Sequence, residues 1–225
     1  MTPELAALTA TAAGLGAVHT LLGPDHTIPF MAMAKARGWT VGKTARVTLL
    51  CGLGHTASGV LLGLAGIGLG AAAGQFLPIE KVRGELAGWM LLGFGAAYTA
   101  WGLRKAWSGS PHTHGHGHAE AEHEHPHGHP GADITLWVLF TVVIFGPCEP
   151  LIPVVMYPAL AHSWTGMALV VGAFSAATIG TMLALVLLGQ RGLSLVSWKP
   201  LERWTHALAG GAVLACGICV VFLGL

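Results

Sequence analysis

The sequence predicts an all-α polytopic membrane protein with six transmembrane helices, arranged as two inverted three-helix repeats. Three observations lead to this fold class. Hydrophobic residues make up 53% of the 225 residues and charged residues only 9%, whereas an ordinary soluble domain has about 25% charged residues. Six apolar stretches are long enough to cross a bilayer, for which a helix needs about 20 residues. The two halves of the chain also carry matching motifs at a nearly constant offset.

The composition excludes several classes of protein. The low charge and a mean hydropathy of +0.65 exclude a disordered chain, a nucleic-acid-binding protein with a basic face and a soluble enzyme. Because no basic residue follows Met1 closely, we expect the first apolar stretch to be a retained helix and not a cleaved signal peptide. The four cysteines all lie in apolar stretches, so a disulfide framework is not expected.

The six apolar stretches define the predicted organisation. They run over residues 5–34, 43–74, 84–105, 134–160, 165–189 and 204–225. The first three form a predicted repeat over 1–107, and the last three form a second repeat over 134–225. Between them, residues 108–133 contain eight histidines, three glutamates and almost nothing apolar. This composition predicts a solvated loop that buffers or senses metal without a rigid, geometry-selective site.

Positive charge differs between the connections, which predicts how the chain is inserted. With six helices, the connections on one side hold nine Lys and Arg residues, and those on the other side hold two, Lys81 and Arg83. The positive-inside rule then places the histidine-rich loop in the cytoplasm and both termini outside, in a multi-pass protein of the inner membrane. No Lys or Arg is expected inside a span, which argues against an exporter of anions.

Matching motifs in the two halves indicate an internal repeat. The motif at Gly23–Pro29 corresponds to the one at Gly146–Pro153. Four residue pairs in the first half also have counterparts in the second: Trp39-Thr40 and Trp164-Thr165, Glu80-Lys81 and Glu202-Arg203, Ala87-Gly88 and Ala209-Gly210, Gly102-Leu103 and Gly224-Leu225. The offsets lie between 122 and 125. Each half has an odd number of helices, so the halves would insert with opposite topology; the alternative is a general likeness among membrane helices rich in small residues.

Three ionisable side chains lie inside the first apolar stretch, namely His19, Asp25 and His26. Such groups are costly within a membrane and usually mark a pathway or a site. The two histidines are seven residues apart, or two helical turns, and so share one face. Two imidazoles with a carboxylate suit nickel, cobalt or zinc. Between them, Gly23-Pro24 predicts a break in the helix, because proline removes a backbone hydrogen bond; the alternative is a polar cluster that only packs helices.

Three further residues complete the predicted metal site. His55 lies in the second span among small residues that let another helix approach closely, and it is predicted to be a ligand or to lie just behind one. Cys148 and Glu149 occupy the positions in the second half that Asp25 and His26 occupy in the first. Thiolate and carboxylate are both competent metal ligands, although a free cysteine is often simply buried.

The remaining histidines and cysteines are assigned no ligand role. Cys216 and Cys219 form a Cys-x-x-Cys motif deep in apolar sequence with no charged neighbour, which favours packing over redox chemistry. His206 is expected near the membrane interface as a non-ligand, and His162 is expected to be exposed.

His19, the Asp25-His26 pair, His55 and the histidine-rich tract together resemble the nickel/cobalt transporter family in the broad sense. That group includes nickel–cobalt permeases, urease-accessory-type membrane proteins and nickel/cobalt efflux proteins, and the compact six-helix urease-accessory-like branch is the most similar. The resemblance implies that the first-helix residues bind the cation and that Ni²⁺ or Co²⁺ is transported. The permeases have four residues between the first His and the Asp-His pair, where this chain has five.

The Gly146–Pro153 element also resembles the thiol–disulfide membrane proteins of cytochrome c biogenesis, which are built from two inverted three-helix halves with a reactive cysteine in each. In this chain the first-half position that matches Cys148 is Asp25. This difference favours a site rebuilt with metal ligands over an electron relay.

The sequence therefore predicts a transporter of a first-row divalent cation, most simply Ni²⁺ or Co²⁺, that exposes a midplane site alternately to the two sides. We expect no catalysed reaction and no resident cofactor. The predicted partners are the lipid bilayer and the cation and not nucleic acid, while a metallochaperone or metalloenzyme maturation partner stays open. Two alternatives remain: a transmembrane thiol–disulfide relay, and an exporter of anions or sulfur oxyanions with the same broad fold.

Overall fold

A computed structural model describes the chain over residues 2–68, 77–108, 130–146, 148, 150–151, 153–154, 164–195 and 199–224. These residues form seven α-helices: α1 (Pro3–Leu22), α2 (Ile28–Ala36), α3 (Val41–Gly68), α4 (Leu77–Trp107), α5 (Pro130–Phe145), α6 (Trp164–Leu195) and α7 (Thr205–Ile218). A 3₁₀ turn at Pro24–His26 joins α1 to α2, another at Lys199–Trp204 precedes α7, and a π turn at Cys219–Leu223 extends it.

Five helical segments are long and apolar enough to cross a membrane. They are Pro3–Leu22, Val41–Gly68, Pro78–Trp107, Trp164–Leu195 and Leu201–Leu223, and the helix at Leu136–Phe145 is apolar but shorter. Large hydrophobic side chains such as Leu22, Leu50 and Leu188 are exposed on these helices, as expected where the surroundings are lipid and not water. The chain is thus an all-helical, multi-pass membrane protein, which confirms the predicted class at this level.

Several predicted boundaries differ from the structure, and α6, for example, runs to Leu195, beyond its predicted end at residue 189. α4 begins at Leu77, so Pro78–Lys81, predicted as a connection, lies in the first turns of that helix. α5 begins at Pro130, within the predicted loop 108–133. Most of that loop, over 109–129, lies outside the described residues. Both α4 and α5 begin before their apolar stretches do. Good helix formers in the first turns of α4, and a proline at the first position of α5, allow each helix to start in polar sequence.

The first apolar stretch is broken between α1 and α2, as the Gly23-Pro24 dipeptide predicts. The amide of Gly23 still bonds the carbonyl of His19, but the backbone at Gly23 is extended, with φ −83° and ψ 100°. Pro24 has no amide to continue the ladder, so the next residues form one 3₁₀ turn before α2 begins. The break takes the side chains of Asp25 and His26 out of the helical register of α1, while the carbonyls of residues 23, 24 and 27 still accept backbone amides.

The two pieces of this broken helix pack against α6 along their whole length. Thr20 Oγ1 donates to the carbonyl of Thr178 at 3.5 Å, and Lys35 Nζ donates to the carbonyl of Leu193 at 3.4 Å. Four of these contacts join residues 158 apart in the chain, in the pairs Gly16–Phe174, Thr20–Thr178, Met31–Gly189 and Lys35–Leu193. A constant separation means that α1 and α2 run in one direction, parallel to α6.

α5 packs between α3 and α4. It runs parallel to α3, because Val47 clusters with Phe140 while Gly54, further along α3, lies against Ile144. α5 runs antiparallel to α4, because Arg83 near the start of α4 contacts Ile144 near the end of α5. The buried residues of these helices form four apolar clusters, and the polar groups described next lie among them.

Candidate metal centre

Three imidazoles from three separate segments meet at half depth of the helices, with His26 and His55 buried and His19 half-buried. His19 lies in the last turn of α1, His26 in the 3₁₀ turn and His55 at the middle of α3. One potential ligand atom of each lies within 4.8 Å of the corresponding atoms of the other two. The ring centroids of His26 are 4.7 Å from those of His19 and 4.9 Å from those of His55. Among the described residues, this is the one such group of three.

The rings of His26 and His55 each contact an oxygen acceptor on the side away from the other ring. Nδ1 of His55 lies 2.8 Å from the carbonyl oxygen of Val143, and Nδ1 of His26 lies 2.9 Å from Oδ1 of Asp25. A carbonyl can only accept, so Nδ1 of His55 carries a hydrogen and its Nε2 has a lone pair. Nδ1 of His26 contacts Asp25 as an ion pair without hydrogen-bond geometry, and its Nε2 lies at hydrogen-bond distance, 3.3 Å, from Nε2 of His55.

This arrangement lets one metal ion bind both rings. The lone pair of His55 Nε2 accepts a hydrogen from Nε2 of His26, 3.3 Å away, or binds a metal ion that replaces this hydrogen. Nitrogens about 2.0–2.1 Å from a tetrahedral ion lie about 3.4 Å apart, which matches the observed separation. The third ring supplies another free donor, because Nε2 of His19 is buried without a hydrogen-bond partner. The donor set therefore fits a divalent ion that prefers imidazole.

Helix ends add negative potential to the cluster. α1 ends at Leu22, one turn after His19, and α5 ends at Phe145, just after the Val143 carbonyl that holds His55. The carboxyl end of a helix carries about half a negative charge. The buried rings, the Asp25 carboxylate and two helix carboxyl ends together favour a cation over an anion at this position.

Gly23 leaves the room that the His26 ring occupies. A Cβ atom at this position would collide with Nδ1 of His26 and lie 2.9 Å from Oδ1 of Asp25. The backbone of Gly23 is extended and any residue can adopt it, so the space and not the conformation requires glycine. The Gly-Pro dipeptide thus both breaks the helix and admits the imidazole.

Gly23→Ala is expected to weaken metal binding about tenfold without unfolding the chain, because the added methyl displaces the His26 ring from its contact with Asp25. Isothermal titration with Co²⁺ of full-length protein in detergent measures the change. Gly14→Ala is the matched control, since a Cβ at Gly14 meets no atom within 4 Å. Equal affinities for the two variants would contradict the assignment of Gly23 to the site.

The other predicted ligands have different outcomes. Asp25 contacts His26 and is not in the group of three, so its carboxylate orients an imidazole from behind. Cys148 is buried with Leu151 and Phe174 and also lies outside the group. Glu149 lies outside the described residues, as does His162. His206 bonds the Tyr98 hydroxyl at 2.9 Å, near the Lys105 end of α4 and away from the cluster.

The three buried cysteines lie in separate parts of the core, which bears on the relay alternative. All four are free. Cys51, Cys148 and Cys216 belong to three different apolar clusters, and Cys216 donates to the carbonyl of Pro24 at 3.8 Å. A relay through Cys148 would need a second thiol within reach, and Cys148 shares its cluster with none.

Sequence reasoning missed a buried ion pair next to the centre. Glu80 is fully buried and pairs with Arg83, which donates to Ser58 Oγ at 2.9 Å and to the carbonyl of Ile144 at 2.8 Å. Arg83 lies in the membrane-capable segment Pro78–Trp107, so the expectation of no Lys or Arg inside a span is wrong. The (i, i+3) spacing of opposite charges at the start of a long apolar run was the available signal.

Comparisons with known proteins give no assignment: no protein-family model, curated protein or solved structure matches this chain.

Proposed function

We propose that this chain is a membrane transporter of a first-row divalent metal cation, with the cation bound by His19, His26 and His55 and with Asp25 behind His26. The observation that carries the proposal is the meeting of three imidazoles whose ligand nitrogens lie within 4.8 Å of one another, with the Nε2 atoms of His26 and His55 3.3 Å apart. Imidazole ligands favour nickel, cobalt, copper or zinc over magnesium or calcium. The sequence resemblance favours Ni²⁺ or Co²⁺ among them, and a resident cofactor is not part of the proposal.

The packing directions of the helices support six crossings of the membrane. α1–α2 and α6 are parallel in their contacts, so an odd number of crossings must separate them. α3 and α4 supply two, and α5 would supply the third. α5 is also parallel to α3 and antiparallel to α4, as a fourth crossing requires. The apolar part of α5 at Leu136–Phe145 ends at the break that begins with Gly146.

Contacts between α4 and α7 support an inverted repeat. Two pairs of glycine contacts are related by the same shift of 122 residues: Gly88–Val221 with Gly210–Thr99, and Gly95–Leu214 with Gly217–Leu92. This shift equals the offset between Ala87-Gly88 and Ala209-Gly210 in the sequence. A two-fold axis in the membrane plane between α4 and α7 would relate the two contacts of each pair. Inverted-repeat transporters have their binding sites near the midplane, where such an axis lies.

The site's depth also supports transport. His55 lies halfway along α3, and His19 lies halfway along the 34 residues from Pro3 to Ala36. A buried cation site at this depth is equally far from both faces, which alternating access requires. We place the histidine-rich loop in the cytoplasm on the positive-inside rule, where it would buffer the same metal.

Cobalt binding tests the proposed site directly. In full-length protein whose loop histidines are replaced by Asn, Co²⁺ is expected to bind at one equivalent and to give the intense visible d–d absorption of a four-coordinate ion. His55→Gln in the same background is expected to lower the affinity about a hundredfold, because it removes one ligand. Absorption titration and elemental analysis give both quantities, and the Cys216→Ser, Cys219→Ser double variant is the control.

Two outcomes would refute the metal site. The first is no bound Co²⁺, Ni²⁺ or Zn²⁺ in the folded protein without loop histidines. The second is an unchanged affinity in both His55→Gln and His19→Gln, which would mean that the imidazoles only pack the helices.

A further inference from the structure

A saturated network of hydrogen bonds lies one helical turn from the metal centre, on the face where α4 begins. Arg83 pairs with Glu80 and donates to Ser58 and to the carbonyl of Ile144. The other carboxylate oxygen of Glu80 accepts the amide of Cys148 at 3.2 Å. This pair of opposite charges thus joins three helices and the break after α5. Because Glu80 is buried, separating it from Arg83 would be costly in free energy.

The network is joined to the metal centre through His55. Ser58 is three residues beyond His55, or about 4.5 Å along the helix, and its hydroxyl contacts the His55 carbonyl at 2.7 Å and the Ile144 carbonyl at 3.0 Å. Arg83 holds Ile144, and the preceding carbonyl of Val143 is the one that orients the His55 ring. Movement of Arg83 would therefore move both the break and a metal ligand.

The opposite side of the centre is closed by a different network, in which the Tyr98 hydroxyl and Lys105 contact His206 and Gln190 donates to the carbonyl of Trp39. Towards that face, Thr48 lies two turns before His55 on α3, and its buried hydroxyl has no hydrogen-bond partner. The amide oxygen of Gln190, further along on α6, is likewise buried without one. These groups are therefore not tied into a buried ion pair, as Glu80 and Arg83 are on the other side.

We propose that Glu80 and Arg83 form a gate that closes the metal centre towards the face where α4 begins. This inference rests on the proposed function and deepens it by naming the group that must separate for the centre to open on that side. Arg83 acts as a positioning residue: it contacts no imidazole and works through the α5 carbonyls. The direction of closure follows from chain order, because α4 begins on the face opposite the histidine-rich loop.

The native Cys148 thiol reports the state of this gate, since it is fully buried and its amide bonds Glu80. The test uses the full chain with Cys51→Ala, Cys216→Ser and Cys219→Ser, so that Cys148 is the one remaining thiol. A membrane-impermeant methanethiosulfonate reagent is applied to either face of sealed vesicles. Glu80→Gln with Arg83→Gln removes both charges together, so that neither is left buried and unpaired.

The double variant is expected to speed labelling of Cys148 about tenfold, from the face where α4 begins and not from the other, because charge-assisted hydrogen bonds are lost. Glu202→Gln with Arg203→Gln is the matched control: it removes the same charges from exposed residues near α7 and should leave the rate unchanged. Ser58→Ala, which buries no charge, is expected to speed labelling about threefold from the same face.

An unchanged rate in both the double variant and Ser58→Ala would overturn the gate, and so would an equal increase from both faces, which indicates a loosened fold. Co²⁺ titration of each variant separates this failure from failure of the proposed function. Normal Co²⁺ binding with unchanged labelling refutes the gate alone. Absent Co²⁺ binding with one-sided labelling refutes the metal site and keeps the gate.

Discussion

Replacing His26 with Gln is expected to abolish metal transport while leaving the protein folded in the membrane. The substitution keeps the volume but removes the nitrogen that faces His55 Nε2 at 3.3 Å. Asp25→Asn is expected to have a similar effect, because it removes the charge that offsets a divalent cation where water is excluded. Each variant should lower the initial rate of Co²⁺ or Ni²⁺ transport in proteoliposomes about a hundredfold or more.

The control for this experiment is the Cys216→Ser, Cys219→Ser double variant, which changes buried groups of the last helix without touching the imidazoles. It is expected to transport at the unaltered rate. A relay of thiols predicts the reverse pattern, with loss of activity in the cysteine variant and full activity in His26→Gln. Normal transport of every divalent metal tried by well-folded His26→Gln and Asp25→Asn would refute the site.

Gly210→Leu is expected to lower the free energy of unfolding by about 3 kcal/mol, because a side chain at this position has no space. A Cβ on Gly210 would collide with the backbone of Thr99 on α4, so the two helices must move apart. Close packing at small residues is a main source of association between helices in lipid. Unfolding of the purified protein by titration with sodium dodecyl sulfate measures the loss.

The next residue along α7 provides the matched control. A Cβ on Gly211 meets no atom within 4 Å, so Gly211→Leu should leave the free energy of unfolding within about 0.5 kcal/mol. A similar loss in both variants would show that the effect is one of helix propensity or insertion. In that case the close approach of α4 and α7, and the two-fold relation built on it, would lose their support.

The sequence by itself determined the membrane class and the place of the first break. Long apolar stretches leave the backbone no choice but a helix in lipid, and Gly23-Pro24 cannot continue one. The sequence also singled out His19, Asp25, His26 and His55, because ionisable groups in an apolar run are rare enough to stand out. These inferences need only local composition and spacing.

The tertiary structure decided which of these groups meet and in what role. The sequence ranked Asp25 with the histidines, but only the fold shows that its carboxylate lies behind His26. It placed Cys148 in the same site, whereas the fold buries this thiol beside Phe174. Repeat symmetry equates positions along the chain, but the distance between two side chains depends on the packing of their helices, and no local pattern carries that information.

The ion pair of Glu80 and Arg83 is a second feature that local sequence could not predict. Charges at the end of an apolar run predict a solvated connection in most membrane proteins, so the sequence placed both residues outside the bilayer. In the fold, the end of α5 leaves the carbonyl of Ile144 and the amide of Cys148 without helical partners, and the two charges satisfy them. The demand for buried hydrogen-bond partners arises only when the helices pack, and so only the tertiary structure could reveal it.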